Sequence, residues 1–219
     1  MIKLKNHREV EVEALTSNDS LKYLAHGKLS MSFLKDEFVK ERIRSDYEVK
    51  RQNNHLHTMI ESLLSYIHSK LSFEEKMEIR QNLQFQRSAK EIWESGKCVG
   101  CTDWALVFAV FSRQLGIPTT YLHTVEEGCL KNIQLNQKCS HIGHTFCECF
   151  YEGKWILVDP TKKKIEWEYN IDKLKLNYLV GGYNVFIPYF RGLDLGERQS
   201  IKEHNQWMKR QCKKLNLEN

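Results

Sequence analysis

The chain has 219 residues, of which 41% are hydrophobic and 28% are charged, and its formal net charge is +5. This length and composition are typical of an ordinary globular domain, and 11 glycines and 3 prolines exclude a collagen-like or Pro/Gly-rich chain. No stretch approaches the ~18 apolar residues of a membrane span, and the scattered basic residues favour a solvated surface over a nucleic-acid-binding patch. We therefore expect neither a membrane nor a nucleic acid as partner.

The N-terminus and the cysteines bear on the cellular compartment. The first seven residues are mostly polar, and no apolar segment follows them, so we expect no secretory signal. The seven cysteines are an odd number, and their spacing does not resemble that of a small disulfide scaffold. We expect most of them to be reduced thiols in a cytoplasmic protein.

Residues 1–95 have a polar composition and a helical periodicity. Gaps of three and four residues place one set of apolar side chains on a single helix face: Leu56, Met59, Ile60, Leu63, Leu64 and Ile67. Residues 28–52 predict another helix, and Ser72–Glu75 has the capping-box pattern that opens a helix. We interpret residues 1–95 as a helical N-terminal region, which either stands alone or packs as part of one domain.

A buried helix is predicted after Gly96 and Gly100. Its apolar residues follow a helical spacing from Cys101 to Leu115, and Pro118 prevents its continuation. The composition then predicts a strand over residues 119–125, a polar loop over 126–143 and two further strands over 144–151 and 154–159. Glu152-Gly153 forms a two-residue hairpin turn between these two strands, and residues 201–217 predict a short polar helix.

The hairpin turn determines which residues face each other. It pairs Tyr151 with Lys154, and the same register puts Phe146 opposite Asp159. His144 and Asp159 then share one face as diagonal neighbours, with Cα atoms roughly 7–8 Å apart. A carboxylate in that position would fix the imidazole tautomer and stabilise its charged form.

Cys101 is predicted at the first position of its helix. The free N–H groups and the helix dipole stabilise a thiolate there, and the same N–H groups could hold the oxyanion of a tetrahedral intermediate. Gly100 would let a carbonyl substrate approach the backbone closely. With His144 as base and Asp159 as its partner, Cys101 would complete a Cys-His-Asp triad. Taken alone, Cys101 is better interpreted as a small core residue at a helix start, since free cysteine is among the most buried residue types.

The remaining cysteines have other interpretations. Cys147 and Cys149 point away from the face of His144 and are expected to be core thiols. Cys98 and Cys101 form a C-x-x-C pattern, which is compatible with a redox pair or a zinc knuckle. A zinc site would need further ligands from the polar loop: Cys129, Cys139 or His141. No second C-x-x-C exists, so we expect no metal and no cofactor.

Three further polar residues lie near the candidate triad in sequence or in the predicted strands. His123 falls in a β-rich segment and is interpreted as a surface or satisfied core histidine. His141 is a second possible base, but this register gives it no carboxylate partner. Asp103 is interpreted as a partner of the helix dipole in the first turn.

Three segments together resemble the transglutaminase-like superfamily. They lie in the family's order and spacing over about residues 95–162, and residues 1–90 match no motif. The segments are the nucleophile segment Gly100–Ala105 with its Leu-Gly-Ile-Pro stop at 115–118, the histidine strand at 144–151 (usually His-Ala-Trp-x-Glu), and the aspartate strand at 153–161.

The resemblance implies a papain-like α+β core in which the nucleophile helix packs against an antiparallel sheet. We assign this catalytic core to residues 96–195 and a helical tail to residues 196–219. By motif position, Cys101 resembles the nucleophile, His144 the base and Asp159 the orienting carboxylate.

Some positions depart from the family's pattern or are not identified by it. Thr145-Phe146 replace the usual Ala-Trp, a change we expect the fold to tolerate. Cys98 lies so near Cys101 that a regulatory disulfide between them is conceivable. The family's oxyanion side chain is not identified by motif. Trp93, upstream of the nucleophile, is a candidate for this role in addition to Gly100.

The expected function is cysteine-dependent acyl transfer at an amide bond of a peptide or protein. Hydrolysis is favoured, since water is the default acceptor in an open cleft. Three alternatives stay open: a protein-glutamine transamidase, a non-catalytic peptide- or protein-binding module on the same fold, and a small zinc-binding module. The sequence does not indicate the oligomeric state.

Overall fold

The computed structural model describes residues 58–139, 143–170, 175–180, 182–194 and 200–215, with six isolated positions between 24 and 48. The helix predicted over residues 28–52 therefore lies largely outside the described residues, as does His141. The predicted domain boundary at 195/196 also lies outside them.

From residue 58 onwards, four helices precede the main sheet: α1 (Met59–Lys70), α2 (Met77–Leu83), α3 (Ala89–Ser95) and α4 (Cys101–Gln114). Helix α1 begins with a capping box between Thr58 and Glu61, and the predicted apolar face is buried at Ile60, Leu63, Leu64 and Ile67. Helix α3 begins with a second capping box, between Ser88 and Glu91.

The capping box predicted at Ser72–Glu75 is wrong. Ser72–Phe73 instead forms a short strand, β1, which pairs in parallel with β2 (Lys97–Cys98). The backbone N–H of Ser72 donates to the carbonyl of Gly96 over 3.0 Å. This pairing ties up the backbone that a helix start would need, and α2 begins only after Lys76.

In the described residues, the main sheet has six strands: Thr119–Glu126 (β3), Gly143–Tyr151 (β4), Lys154–Asp159 (β5), Lys164–Glu166 (β6), Leu176–Val180 (β7) and Tyr183–Gly192 (β8). Neighbouring strands are antiparallel, in the order β6-β5-β4-β3-β8-β7. The predicted hairpin register is confirmed, because Tyr151 pairs with Lys154 and Cys147 pairs with Val158.

The polar loop predicted over residues 126–143 is also wrong, since it contains helix α5 (Glu127–Gln134). The Glu126 carboxylate caps this helix by accepting from the N–H groups of Gly128 and Cys129. The helix buries its short apolar face at Cys129, Leu130 and Ile133. The predicted C-terminal helix is present as α6 (Ile201–Lys214), which packs against α5 and β8.

Helix α4 lies at the centre of the molecule and is buried from Thr102 to Arg113. It packs with α1 and α3 against the sheet face formed in part by Cys147, Cys149, Ile156 and Val158. A smaller cluster covers the opposite face of the sheet: Leu122, Phe146, Leu157, Leu176 and Phe186. This arrangement confirms the predicted α+β core, with the helix that starts at Cys101 packed on an antiparallel sheet.

Among the helices of the described ranges, none is both long and apolar enough to span a bilayer.

Candidate functional site

His144 and Asp159 meet at one end of the sheet. His144 is the second residue of β4 and Asp159 is the last residue of β5. The imidazole Nε2 lies 2.9 Å from the carboxylate Oδ2, and both side chains are buried. The diagonal contact that the hairpin register predicted is therefore present.

The Asp159 carboxylate is held from its other side by the backbone. Its Oδ1 accepts hydrogen bonds from the N–H groups of Thr161 over 2.9 Å and Lys162 over 3.1 Å. With Oδ1 fixed in this way, Oδ2 is aimed at His144 and accepts its Nε2–H. The tautomer or charge state that satisfies this bond leaves His144 Nδ1 for a second partner.

Cys101 is the first residue of α4, and Gly100 is the N-cap. Cys101 is a partly exposed residue, whereas the other free cysteines in the described ranges are buried: Cys98, Cys147, Cys149 and Cys212. Cys101 is therefore the most exposed of the free cysteines in the described ranges.

Cys101 and His144 stabilise each other's charged forms. Burial alone would raise the pKa of the Cys101 thiol, but the charge of His144 and hydrogen bonds from His144 and Thr145 outweigh it, so that the pKa is lowered. Burial would lower the pKa of His144, but the charge of Cys101 and the hydrogen bond to Asp159 raise it. These opposite shifts favour a thiolate–imidazolium pair.

A partly buried ion pair fixes the turn in front of Cys101. The Asp103 carboxylate in the first turn of α4 accepts hydrogen bonds from the Arg87 guanidinium and from the backbone N–H of Val99. Arg87 also donates to the carbonyl of Lys97 over 2.9 Å. Asp103 thus lies in the first turn, as expected, and it also anchors the chain that leads into the helix.

The structure does not bring Trp93 to Cys101. The Trp93 ring packs against Tyr66 and Phe111, with ring centroids 5.7 and 4.9 Å away. Phe111 lies ten residues after Cys101 on α4, which is about 15 Å along the helix axis. Trp93 therefore belongs to the core near the far end of α4.

Gln84 lies beside the helix start and was not found from the sequence. A Cβ built on Gly100 would lie 3.5 Å from Gln84 Nε2, so this side-chain amide is directly next to the residue that precedes Cys101. Gln84 directly follows α2 and is partly exposed. No local pattern marks it, because its proximity to Gly100 arises only when α2 packs near the start of α4.

The structure also bears on the cysteine alternatives. Cys129 and Cys139, two of the suggested zinc ligands, are joined by a disulfide bond. Cys98 and Cys101 are both free, and Cys98 is buried. Within the described residues, no group of three or more His, Cys, Asp or Glu side chains is arranged to hold a metal ion.

Comparison with known proteins gives a family match and a structural match. The family model described as the transglutaminase-like superfamily matches residues 44–160, more than half of the chain. A search of curated proteins gives no significant match. Among solved structures, the chain is similar to a protein from Cytophaga hutchinsonii with a provisional designation as a cysteine protease, at 17% identity and a TM-score of 0.49. The match covers 84% of this chain and 50% of that protein, so the chain spans about half of its length.

Proposed function

Because the chain belongs to the transglutaminase-like superfamily, we propose that it is a cysteine-dependent acyl-transfer enzyme that acts on an amide bond of a peptide or protein. One observation carries the proposal: the contact of 2.9 Å between His144 Nε2 and Asp159 Oδ2, beside a partly exposed Cys101 at a helix start. In this mechanism Cys101 is the nucleophile, His144 is the acid–base group and Asp159 orients His144.

The first step is attack of the Cys101 thiolate on the substrate carbonyl carbon. A C–S bond forms, and the carbonyl π electrons move onto the oxygen. The backbone N–H of Cys101 is a donor for this oxyanion, since the first N–H groups of a helix have no intrahelical acceptor. Gln84 Nε2, which lies beside Gly100, is the second donor that we assign.

The second step is departure of the amine. The His144 imidazolium gives its proton to the amide nitrogen, the C–N bond breaks, and the carbonyl re-forms as a thioester on Cys101. Asp159 keeps its contact with His144 Nε2 throughout, because its other oxygen is fixed by the N–H groups of Thr161 and Lys162.

The third step releases the acyl group. Neutral His144 removes a proton from water, the water oxygen attacks the thioester, and the C–S bond breaks to regenerate the thiolate and release a carboxylic acid. An amine in place of water would give transamidation by the same route. We propose hydrolysis, since Cys101 is a partly exposed residue and water is the most abundant acceptor.

The test follows the acyl group. The full chain is incubated in H₂¹⁸O with peptides from a proteolytic digest, with and without an added primary amine, and Cys101→Ala is run in parallel. Acid quenching and mass spectrometry should show a thioester on Cys101 and newly formed carboxylates that carry ¹⁸O, and neither should appear with Cys101→Ala.

Two results would overturn parts of the proposal. If amine adducts form at the expense of ¹⁸O-labelled carboxylates, the reaction is transamidation and not hydrolysis. If peptides bind without forming a thioester, the protein is a binding module and not an enzyme.

A further inference from the structure

Thr145 provides a hydroxyl beside Cys101, at the position where the transglutaminase-like superfamily usually has alanine. Its Oγ1 lies 3.7 Å from Cys101 Sγ and 3.1 Å from His123 Nδ1. Thr145 is 1% exposed and His123 is 3% exposed. The mechanism proposed above uses neither side chain, yet together they form a buried chain of polar contacts that ends on the thiol.

The sheet itself builds this contact. His123 in β3 pairs directly with Thr145 in β4, so that their side chains lie next to each other on the same face. Aromatic rings on β3, β8 and α6 surround the His123 ring at centroid distances of 4.8 to 6.3 Å: Tyr121, Tyr189, Phe190, His204 and Trp207. Because this packing holds the ring in place, the imidazole Nδ1 remains directed at Thr145.

The number of protons fixes the direction of the two hydrogen bonds. Thr145 has one hydroxyl proton, which it can donate to one neighbour at a time, and its oxygen can accept from another. When Cys101 is a thiolate, its sulfur can only accept, so Thr145 donates to it. The Thr145 oxygen is then free to accept from His123, and this requires a proton on His123 Nδ1.

We propose that Thr145 and His123 are positioning residues, which stabilise the Cys101 thiolate and hold its sulfur in place for reaction. The Thr145 hydroxyl contacts the sulfur directly, and His123 acts through Thr145 by keeping that hydroxyl turned towards Cys101. This inference rests on the proposed role of Cys101 as the nucleophile.

Other titratable groups face Cys101 from neighbouring elements. His144 on β4 and Asp159 on β5 form the pair described above. Tyr121 on β3 donates its hydroxyl to the Thr102 carbonyl over 3.2 Å, and burial, followed by the charge of Cys101, raises its pKa well above the usual value, so it stays neutral. Asp103 on α4 is paired with Arg87.

His123 faces a different set of groups. His204 on α6 lies across from it with ring centroids 5.2 Å apart, and the Tyr189 hydroxyl on β8 lies 3.4 Å from His204 Nε2. Thr145 provides an acceptor for Nδ1–H.

The experiment measures the rate of Cys101 alkylation by iodoacetamide as a function of pH, read on the Cys101 peptide by mass spectrometry. Thr145→Val removes the hydroxyl and keeps the shape, whereas Thr145→Ser keeps the hydroxyl. We expect Thr145→Val to raise the pKa of Cys101 by about 1. At pH values below the Cys101 pKa of both the wild type and the variant, the thiolate fraction should then fall about tenfold. Thr145→Ser should stay within a few tenths of the wild-type value.

His123 is tested by a second pair of variants. His123→Phe keeps the aromatic packing without the ring nitrogen, whereas His123→Asn offers a side-chain amide donor near the place of Nδ1. We expect His123→Phe to raise the pKa of Cys101 in the same direction as Thr145→Val, and to add nothing in the Thr145→Val background. His123→Asn should restore part of the wild-type behaviour.

Equal pKa values of Cys101 in Thr145→Val and Thr145→Ser would overturn the inference. His144→Ala, measured in the same series, reports on the proposed function separately: if it leaves the pKa of Cys101 unchanged, the Cys–His pair is contradicted. The Thr145 comparison is a difference between two variants, so it can be interpreted whatever the wild-type value is. Should Thr145→Val fail to fold, the comparison of His123→Phe with His123→Asn decides the same question.

Discussion

Strand β4 carries two buried ionisable residues on one face, and their surroundings differ. Glu148 accepts hydrogen bonds from Thr120 Oγ1 over 2.8 Å, from Tyr169 and from two nitrogens of Arg191. His144 contacts the Asp159 carboxylate through Nε2, and its remaining partner is the partly exposed Cys101.

Glu148–Arg191 is a structural pair, whereas His144–Asp159 is the pair that we propose to be reactive. The Glu148–Arg191 pair lies inside the sheet, and both Glu148 oxygens are occupied by donors, so no acceptor site is left for a substrate. His144–Asp159 lies at the end of the strands, where α4 begins with the partly exposed Cys101. Burial and charge alone do not distinguish the two pairs. They differ in the exposure of the neighbouring residue and in how many hydrogen-bonding positions are already occupied by protein groups.

Removal of the thiol should have the largest effect on activity. Cys101→Ala should lower kcat/KM by on the order of 10⁴-fold or more, while the free energy of unfolding stays within about 1 kcal/mol of wild type. The measurement is peptide turnover together with urea denaturation of the same preparations. Activity retained in this variant would show that the reactive group lies elsewhere.

The structural pair should show the opposite behaviour. Glu148→Leu leaves the Arg191 guanidinium buried without its counter-ion, so unfolding should become easier by about 3–5 kcal/mol. Urea denaturation measures this loss. The double variant Glu148→Leu/Arg191→Met should recover part of it, since no uncompensated charge then remains in the sheet. A loss below about 1 kcal/mol in the single variant would mean that Arg191 finds another partner.

The carboxylate partner of His144 should affect both rate and pH dependence. Asp159→Asn should lower kcat/KM by about 10²- to 10⁴-fold, since the amide neither fixes the tautomer nor stabilises the imidazolium. The alkaline limb of the pH profile should move to lower pH, because Asp159 contributes to the raised pKa of His144. The acid limb, set by Cys101, should move less. An alkaline limb at the wild-type position would contradict the assigned role of Asp159.

The smallest of the expected effects is a loss of stability at His68, which contacts the residue that follows Asp159. His68 on α1 donates its Nε2–H to the Pro160 carbonyl over 2.7 Å, and its ring stacks on Trp104 at 4.1 Å. His68→Phe keeps the stacking and removes the hydrogen bond, so it should cost about 1 kcal/mol of stability. His68→Ala also loses the stacking. Thermal denaturation of both variants therefore separates the contribution of the hydrogen bond from that of the stacking.

The sequence predicted local structure well where one short segment contains all the information. The Glu152-Gly153 turn and the strand alternation suffice to place His144 and Asp159 on one face. Helix α1 follows from its apolar spacing, and the start of α4 follows from Gly100 before Cys101.

Features that arise from tertiary pairing were missed. Ser72 matches a capping box by sequence, but pairing with Lys97 turns it into a strand. Helix α5 was hidden in a polar segment because its apolar face is short, and packing against α6 and β3 stabilises it. The proximity of Gln84 to Gly100 and the contact of Thr145 with Cys101 depend on how separate elements meet.

We propose above all that His144 activates Cys101. The most direct test is the rate of Cys101 alkylation by iodoacetamide from about pH 4 to about pH 9, in the wild type and in His144→Ala. The thiolate should remain reactive well below the ordinary thiol pKa of about 8.5, and His144→Ala should move the profile back to that value. Identical profiles that titrate near about 8.5 in both proteins would contradict the activated pair.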